Sequence, residues 1–110
     1  MKKPFIFFFV VLILFNVLNI IDKITTYYGV KQGFWEQNII TAKFFGIIGI
    51  LPTLILQVFI GLISSLLIYL VIINISIKIK HIDKIIALPI IFLSLIYFEA
   101  VINNTRLLLG

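Results

Sequence analysis

The sequence predicts an all-α integral membrane protein with three transmembrane helices. Apolar residues make up 63% of the 110 residues and charged residues only 12%, which is more apolar surface than a domain of this size can bury in its own core. The apolar residues form long continuous runs, and about 20 such residues cross about 30 Å of hydrocarbon as a helix. The runs do not alternate with polar residues, as the strands of a membrane β-barrel would.

The first apolar run predicts a transmembrane helix over residues 4–27. Pro4 is tolerated there because the N–H that proline lacks has no partner in the first turn of a helix. Lys2 and Lys3 before an apolar run are also typical of a secretory signal peptide, but no small-residue cleavage motif follows. We therefore expect this helix to be retained.

The second apolar run extends over residues 44–77, which is more than one crossing needs. Pro52 lies inside this run, where it lacks a backbone N–H and clashes with the preceding turn. We expect an interfacial or tilted piece over residues 44–51, a bend, irregular turn or helix start near Pro52, and a transmembrane helix over residues 53–76.

The third apolar run predicts a transmembrane helix over residues 85–108, with Pro89 in its opening turns. No internal repeat, low-complexity tract or linker divides the chain. We therefore expect residues 1–110 to form a single transmembrane helical domain.

Basic residues indicate how the chain is oriented, because cytoplasmic loops carry an excess of Lys and Arg. With the N-terminus inside, the cytoplasmic side would hold Lys2, Lys3, Lys78, Lys80 and Lys84, and the opposite side Lys23, Lys31, Lys43 and Arg106. The tight cluster in the loop of residues 78–84 and the Lys pair at the start favour this orientation. We expect a multi-pass protein of the cell membrane with a cytoplasmic N-terminus and an outer C-terminus.

Composition argues against several other classes of protein. The net charge is +5, but the basic residues are scattered at segment ends and do not form a nucleic-acid-binding patch. The chain has no cysteine and one histidine, His81, so neither a disulfide nor a typical metal site is expected. The sequence contains no recognisable catalytic or phosphate-binding motif. We predict that the chain is not an enzyme, needs no cofactor, and contacts the lipid bilayer and other membrane protein subunits.

Polar residues form one stripe on each predicted helix when positions are plotted at about 100° per residue. The first stripe contains Asn16, Asn19, Asp22, Lys23 and Thr26, the second Thr53, Gln57, Gly61 and Ser64, and the third Glu99, Asn103 and Arg106. Polar side chains are costly in lipid unless they are paired. Each helix is therefore expected to turn its stripe toward the other helices or toward a partner protein.

Two interpretations of these stripes stay open. In the first they are packing contacts, in which Gly61, Ser64 and Ser65 let helices approach closely and Asn or Gln side chains hydrogen-bond between helices. In the second, Asp22 and Glu99 have a functional role, since an ionisable group within a membrane is a functional candidate by default.

The loop after the first helix adds two candidate residues. Gly29 and Gly33 allow turns there. Asn38 can cap the next helix while Glu36 is simply solvated; alternatively, the loop brings Glu36 toward Asp22 to form a hard-cation or proton site. The predicted polar cluster contains Asn19, Asp22, Thr26, Glu36, Asn38, Gln57, Glu99 and Asn103.

The order of these residues resembles the small three-helix membrane proteins grouped as domain of unknown function DUF5658. That family shows N-x-x-D-x-x-x-T, then G-x-x-E-x-N-P, a Lys in helix two, and a Tyr and an Asn in helix three. The matching residues here are Asn19, Asp22, Thr26, Gly33, Glu36, Asn38, Tyr97 and either Asn103 or Asn104. Ile39 replaces the proline and Gln57 stands in place of the lysine. The resemblance implies no established activity.

Two classes of function remain open at this point. The chain is either a non-catalytic accessory subunit that packs against a larger integral membrane complex, or a small oligomeric ion- or proton-handling protein. The second class would be built around Asp22, Glu36, Gln57 and Glu99.

Overall fold

The computed structural model of the chain describes residues 3–34, 39–75 and 81–110. These ranges contain four helices and no strand: α1 (Lys3–Lys31), α2 (Ile39–Ile48), α3 (Ile50–Ile75) and α4 (Ile82–Leu109). Helices α1, α3 and α4 are long and apolar enough to span a membrane, whereas α2 has only 10 residues. The predicted all-α fold with three membrane-length helices is confirmed.

The helices extend beyond the predicted spans at several ends. α1 continues to Lys31, four residues past the predicted end at residue 27, and Gly29 lies buried inside it. The turn comes instead at Gly33, whose φ of 96° is a left-handed conformation that glycine adopts without steric cost. α4 begins at Ile82 and not at residue 85. The length of an apolar run places a helix well, but its last turn depends on where the backbone reverses.

The predicted interruption near Pro52 is confirmed, although its position differs. The helix breaks at Gly49, which has a φ of 99°, and the short helix before it starts at Ile39 and not near residue 44. Pro52 is the third residue of α3, where a backbone N–H has no carbonyl of the same helix to bond, so proline is tolerated there. The Thr53 hydroxyl donates a hydrogen bond of 2.6 Å to the Gly49 carbonyl. Glycine therefore ends α2, and proline stands in the first turn of the next helix.

α1 lies between α3 and α4 and contacts both of them along its length, whereas α3 and α4 hardly touch each other. α4 runs parallel to α1: Phe15 packs on Tyr97 with ring centroids 5.4 Å apart, and Asp22 accepts a hydrogen bond from Asn104. α3 runs antiparallel to α1. The arrangement measures 50 × 29 × 20 Å, which matches helices that cross a bilayer side by side.

The three helices meet in an apolar core near the start of α1. Its buried residues are Phe8, Val11, Leu12, Ile72, Ala87 and Ile90. Tyr69 of α3 stacks on Phe8, with ring centroids 6.4 Å apart and an angle of 8° between the rings. Ala87 is fully buried, and its small side chain permits close approach of α4 to α1. This core closes one end of the helix bundle, so any opening between α3 and α4 lies toward the other end.

We expect Gly49→Ala to lower the free energy of unfolding by about 1 to 2 kcal/mol, because a left-handed conformation costs an alanine that much. Gly46→Ala is the matched control: Gly46 lies within α2 and a Cβ there would meet nothing within 4 Å. Alanine at position 46 should be neutral or stabilising, since it favours a helix over glycine. Thermal unfolding of the purified variants in detergent measures both effects, and equal melting temperatures for the two variants would contradict this account of the turn.

Candidate functional site

A cavity of about 900 Å³ lies between α3 and α4, with α1 as its floor. We call it the α3–α4 cleft. Apolar residues line the end near the core, including Leu12, Ile68 and Ile90. The polar residues on its walls are Asn19, Asp22, Lys23, Thr25 and Thr26 of α1, Thr41 of α2, Gln57, Ser64 and Ser65 of α3, and Glu99, Asn103, Asn104 and Arg106 of α4. The stripes of three separate helices therefore border one space.

Asp22 is the centre of the contact between α1 and α4. Its carboxylate accepts a hydrogen bond of 2.8 Å from Lys23 and one of 3.2 Å from the side-chain amide of Asn104. The same Asn104 nitrogen lies 3.0 Å from the Thr25 hydroxyl and 3.2 Å from the Thr26 hydroxyl. Lys23 also sits 4.9 Å from the centre of the Tyr97 ring. The buried acidic group is thus satisfied within this pair of helices.

Gln57 has a different role from the one expected in the polar cluster. Its amide donates a hydrogen bond of 2.9 Å to the Thr41 hydroxyl, which attaches α2 to α3. Asn103 is exposed on the cleft wall, and it is the neighbouring Asn104 that bonds to Asp22. The predicted cluster therefore needs correction at both positions. Asn104, and not Asn103, bonds to Asp22. Gln57 bonds to Thr41 of α2 and not to the polar residues of α1.

Adjacent residues on a helix point about 100° apart, which explains why Asn103 and Asn104 behave differently. Asn104 stands seven residues, close to two full turns, after Tyr97. Tyr97 packs against Phe15 and Lys23 of α1. Asn104 therefore lies on the same face of α4 as Tyr97, and the packing of Tyr97 against α1 turns this face toward Asp22.

The contact between α1 and α3 depends on small and amide side chains. Asn16 donates a hydrogen bond of 2.9 Å to the Ser65 hydroxyl, which in turn donates one of 2.8 Å to the Gly61 carbonyl. Asn19 is only 2% exposed and packs so closely on Gly61 that a Cβ there would lie 2.7 Å from its side-chain nitrogen. Gly61 and Ser65 lie where helix packing needs small residues. Ser64 instead lies exposed on the cleft wall.

Glu99 and Arg106 project from α4 into the same cleft. Both side chains are exposed, and within residues 3–34, 39–75 and 81–110 neither forms an ion pair. Over those same ranges, no group of three or more His, Cys, Asp or Glu residues is placed to hold a metal ion. Glu36 and Asn38 lie outside the described residues, so the cap and the cation site suggested for them stay predictions.

No protein-family model, no curated protein and no solved structure matches this chain. The resemblance to DUF5658 therefore stays a prediction. The class that the fold and the cleft define is a small multi-pass membrane protein with three membrane-length helices and, between two of them, a cleft lined by polar and apolar side chains.

We expect Asn104→Ala to lower the free energy of unfolding by about 1 to 2 kcal/mol, since it removes the hydrogen bonds that attach α4 to Asp22, Thr25 and Thr26. Asn103→Ala removes the same amide from an exposed position one residue away and should change stability little. Thermal unfolding in detergent distinguishes the two variants. A loss for Asn103→Ala as large as that for Asn104→Ala would show that the contact with α1 is not the source of the effect.

Proposed function

We propose that this chain is a non-catalytic accessory subunit of a membrane assembly, in which a transmembrane helix of a larger integral membrane protein packs into the α3–α4 cleft. The observation that supports this proposal is the cleft itself. It is a space of about 900 Å³, lined by polar and apolar side chains, between two membrane-length helices that hardly contact each other.

Polar cleft walls are unfavourable next to lipid. The Ser64 hydroxyl and the Asn103 amide are exposed on opposite walls of the cleft. Lipid tails offer such groups no hydrogen bonds, and in lipid each unpaired group costs free energy. A partner helix with small or hydrogen-bonding residues would offset that cost and exclude lipid, which is how helices associate within membranes.

α3 is the helix that gains most from a partner. It contacts α1 through the core at one end and through Asn16, Asn19, Gly61 and Ser65 in its middle, whereas α4 gives it almost no support. Most of its large apolar side chains are exposed. A partner seated between α3 and α4 would hold both helices at once, which gives the small chain a stable place in a larger assembly.

The second candidate function is handling of ions or protons by a small oligomer of this chain. The observation that favours it is that Asp22, Lys23 and Glu99 line one cavity together with the hydroxyl groups of Thr26 and Ser64. Purification in mild detergent separates the two candidates: a stoichiometric complex with a larger subunit supports the accessory role, and a homo-oligomer that conducts ions in vesicles supports the alternative.

We also propose that the chain lies in the cell membrane with its N-terminus in the cytoplasm. The count of basic residues supports this orientation. Lys23, one of the four basic residues assigned to the outer side, is bound to Asp22 on the cleft wall with its side chain 13% exposed. Because Lys23 is partly buried and paired with Asp22, it is not a free boundary charge, and leaving it out of the count increases the excess of basic residues on the cytoplasmic side.

We expect Ser64→Phe to abolish co-purification of the chain with its larger partner, because the new ring fills the cleft. Leu66→Phe is the matched control, since Leu66 is 58% exposed on α3 and does not line the cleft. The measurement is the amount of partner retained per chain after solubilisation in mild detergent. If both variants retain the partner as well as the natural chain does, the cleft is not the contact surface.

Single-cysteine labelling measures the orientation, since the chain has no cysteine of its own. His81→Cys, at an exposed position before α4, should react with a membrane-impermeant maleimide only when the cytoplasmic side is accessible. Lys31→Cys, at the exposed end of α1, is the control and should react from outside intact cells. Labelling of position 81 on intact cells would reverse the proposed orientation.

A further inference from the structure

We infer that the partner helix in the α3–α4 cleft carries a basic side chain at the depth of Glu99 and an acidic side chain at the depth of Arg106. This inference rests on the proposed function and adds the chemistry of the partner to it. It follows from the two exposed charged groups of α4 that line the cleft and have no opposite charge beside them among the described residues.

Glu99 and Arg106 lie on one face of α4. Seven residues separate them, which is close to two helical turns and about 10 Å along the helix axis. Asn103 lies between them on the same wall of the cleft. By contrast, Asp22 and Lys23 of α1 already neutralise each other at 2.8 Å. The unneutralised charges of the cleft are therefore arranged in order along α4, negative first and positive nearer its end at Leu109.

An opposite charge on the partner helix would stabilise each of the two groups according to its depth in the membrane. Glu99 stands ten residues before the end of α4 at Leu109, or about 15 Å along the axis, whereas Arg106 is in the last turn. A charged group that far inside a membrane-length helix is unfavourable without a partner, and one near the end can reach the interface. The basic residue of the partner helix is thus expected to matter more than its acidic residue.

The order of the charges argues against two other occupants. A second copy related by a two-fold axis along the membrane normal would place Glu99 opposite Glu99 and Arg106 opposite Arg106, since symmetric copies present the same surface at the same depth. A zwitterionic phospholipid carries its phosphate on the membrane side of its ammonium group, which is the reverse of what Arg106 and Glu99 would bind. A separate helix with its own sequence has neither restriction.

The spacing of these residues suits a helix as well. Glu99 and Arg106 lie about two helical turns apart along one wall of the cleft, and Ser64 lies on the opposite wall. One helical partner segment of about two turns can therefore contact both charges and the exposed Ser64 hydroxyl.

Two synthetic transmembrane peptides of identical composition test this inference. Each is an apolar helix of about 20 residues with one Lys and one Glu spaced by seven. In the matched peptide the Lys stands near the middle and the Glu near one end; in the swapped peptide these two residues are exchanged. Binding to the full chain in phosphatidylcholine vesicles is measured by energy transfer between fluorescent labels. We expect the matched peptide to bind at least about tenfold more tightly than the swapped one.

The double variant Glu99→Arg with Arg106→Glu keeps the net charge and should reverse this preference. Equal binding of both peptides to the natural chain, or no binding of either, overturns the charge inference without needing any variant to fold. A disulfide between two Ser64→Cys chains would instead place a second copy in the cleft, and displacement of both peptides by added phosphatidylethanolamine would place a lipid there; either result also overturns it. If the Ser64→Phe chain loses its natural partner while both peptides bind equally, the proposed function stands and only the charge order is wrong.

Discussion

The structure depends on one constraint, which is that a polar group at membrane depth must find its partner within the protein. Lipid tails are as apolar as the side chains, so contacts between apolar side chains give no hydrophobic stabilisation in a membrane. Close packing and hydrogen bonds must therefore hold the helices together. α1 carries the side chains that form hydrogen bonds to both of the other long helices. Its Asp22 anchors α4 through Asn104, and its Asn16 anchors α3 through Ser65. α1 is therefore the central helix, and α3 and α4 are held to it separately.

The same constraint explains why one end of the bundle is closed and the other open. Near the start of α1, apolar residues of all three helices interlock around Phe8 and Ala87. Farther along, the polar residues of α1 draw α3 and α4 to different sides of it, and the cleft remains between them. Polar groups that α1 does not satisfy, such as Ser64 and Glu99, face this space. A partner helix at this position would provide hydrogen-bonding or charged partners for these remaining polar groups.

Particular residues show which features the sequence pattern predicts and which it does not. Pro52 correctly indicated an interruption, yet Gly49 marks the break, because the left-handed backbone that ends α2 is open to glycine at no steric cost. Asp22 and Gln57, which belong to the predicted stripes, both line the α3–α4 cleft. The side chains of Asn103 and Asn104 point about 100° apart around α4, so the rotation of α4 about its axis decides which of the two faces Asp22. Only the packing of Tyr97 on α1 determines that rotation.

The sequence by itself determined the class of fold, the number of membrane-length helices and the polar character of one face of each, because these properties follow from apolar length and helical period alone. Only the tertiary structure decided which amide pairs with Asp22, that Gln57 bonds to Thr41, and that α3 and α4 stand apart. The physical reason is that helix rotation and separation are set by close contacts between different helices, such as Asn19 against Gly61. These contacts join residues far apart in the chain, and the local periodicity of the sequence does not predict them.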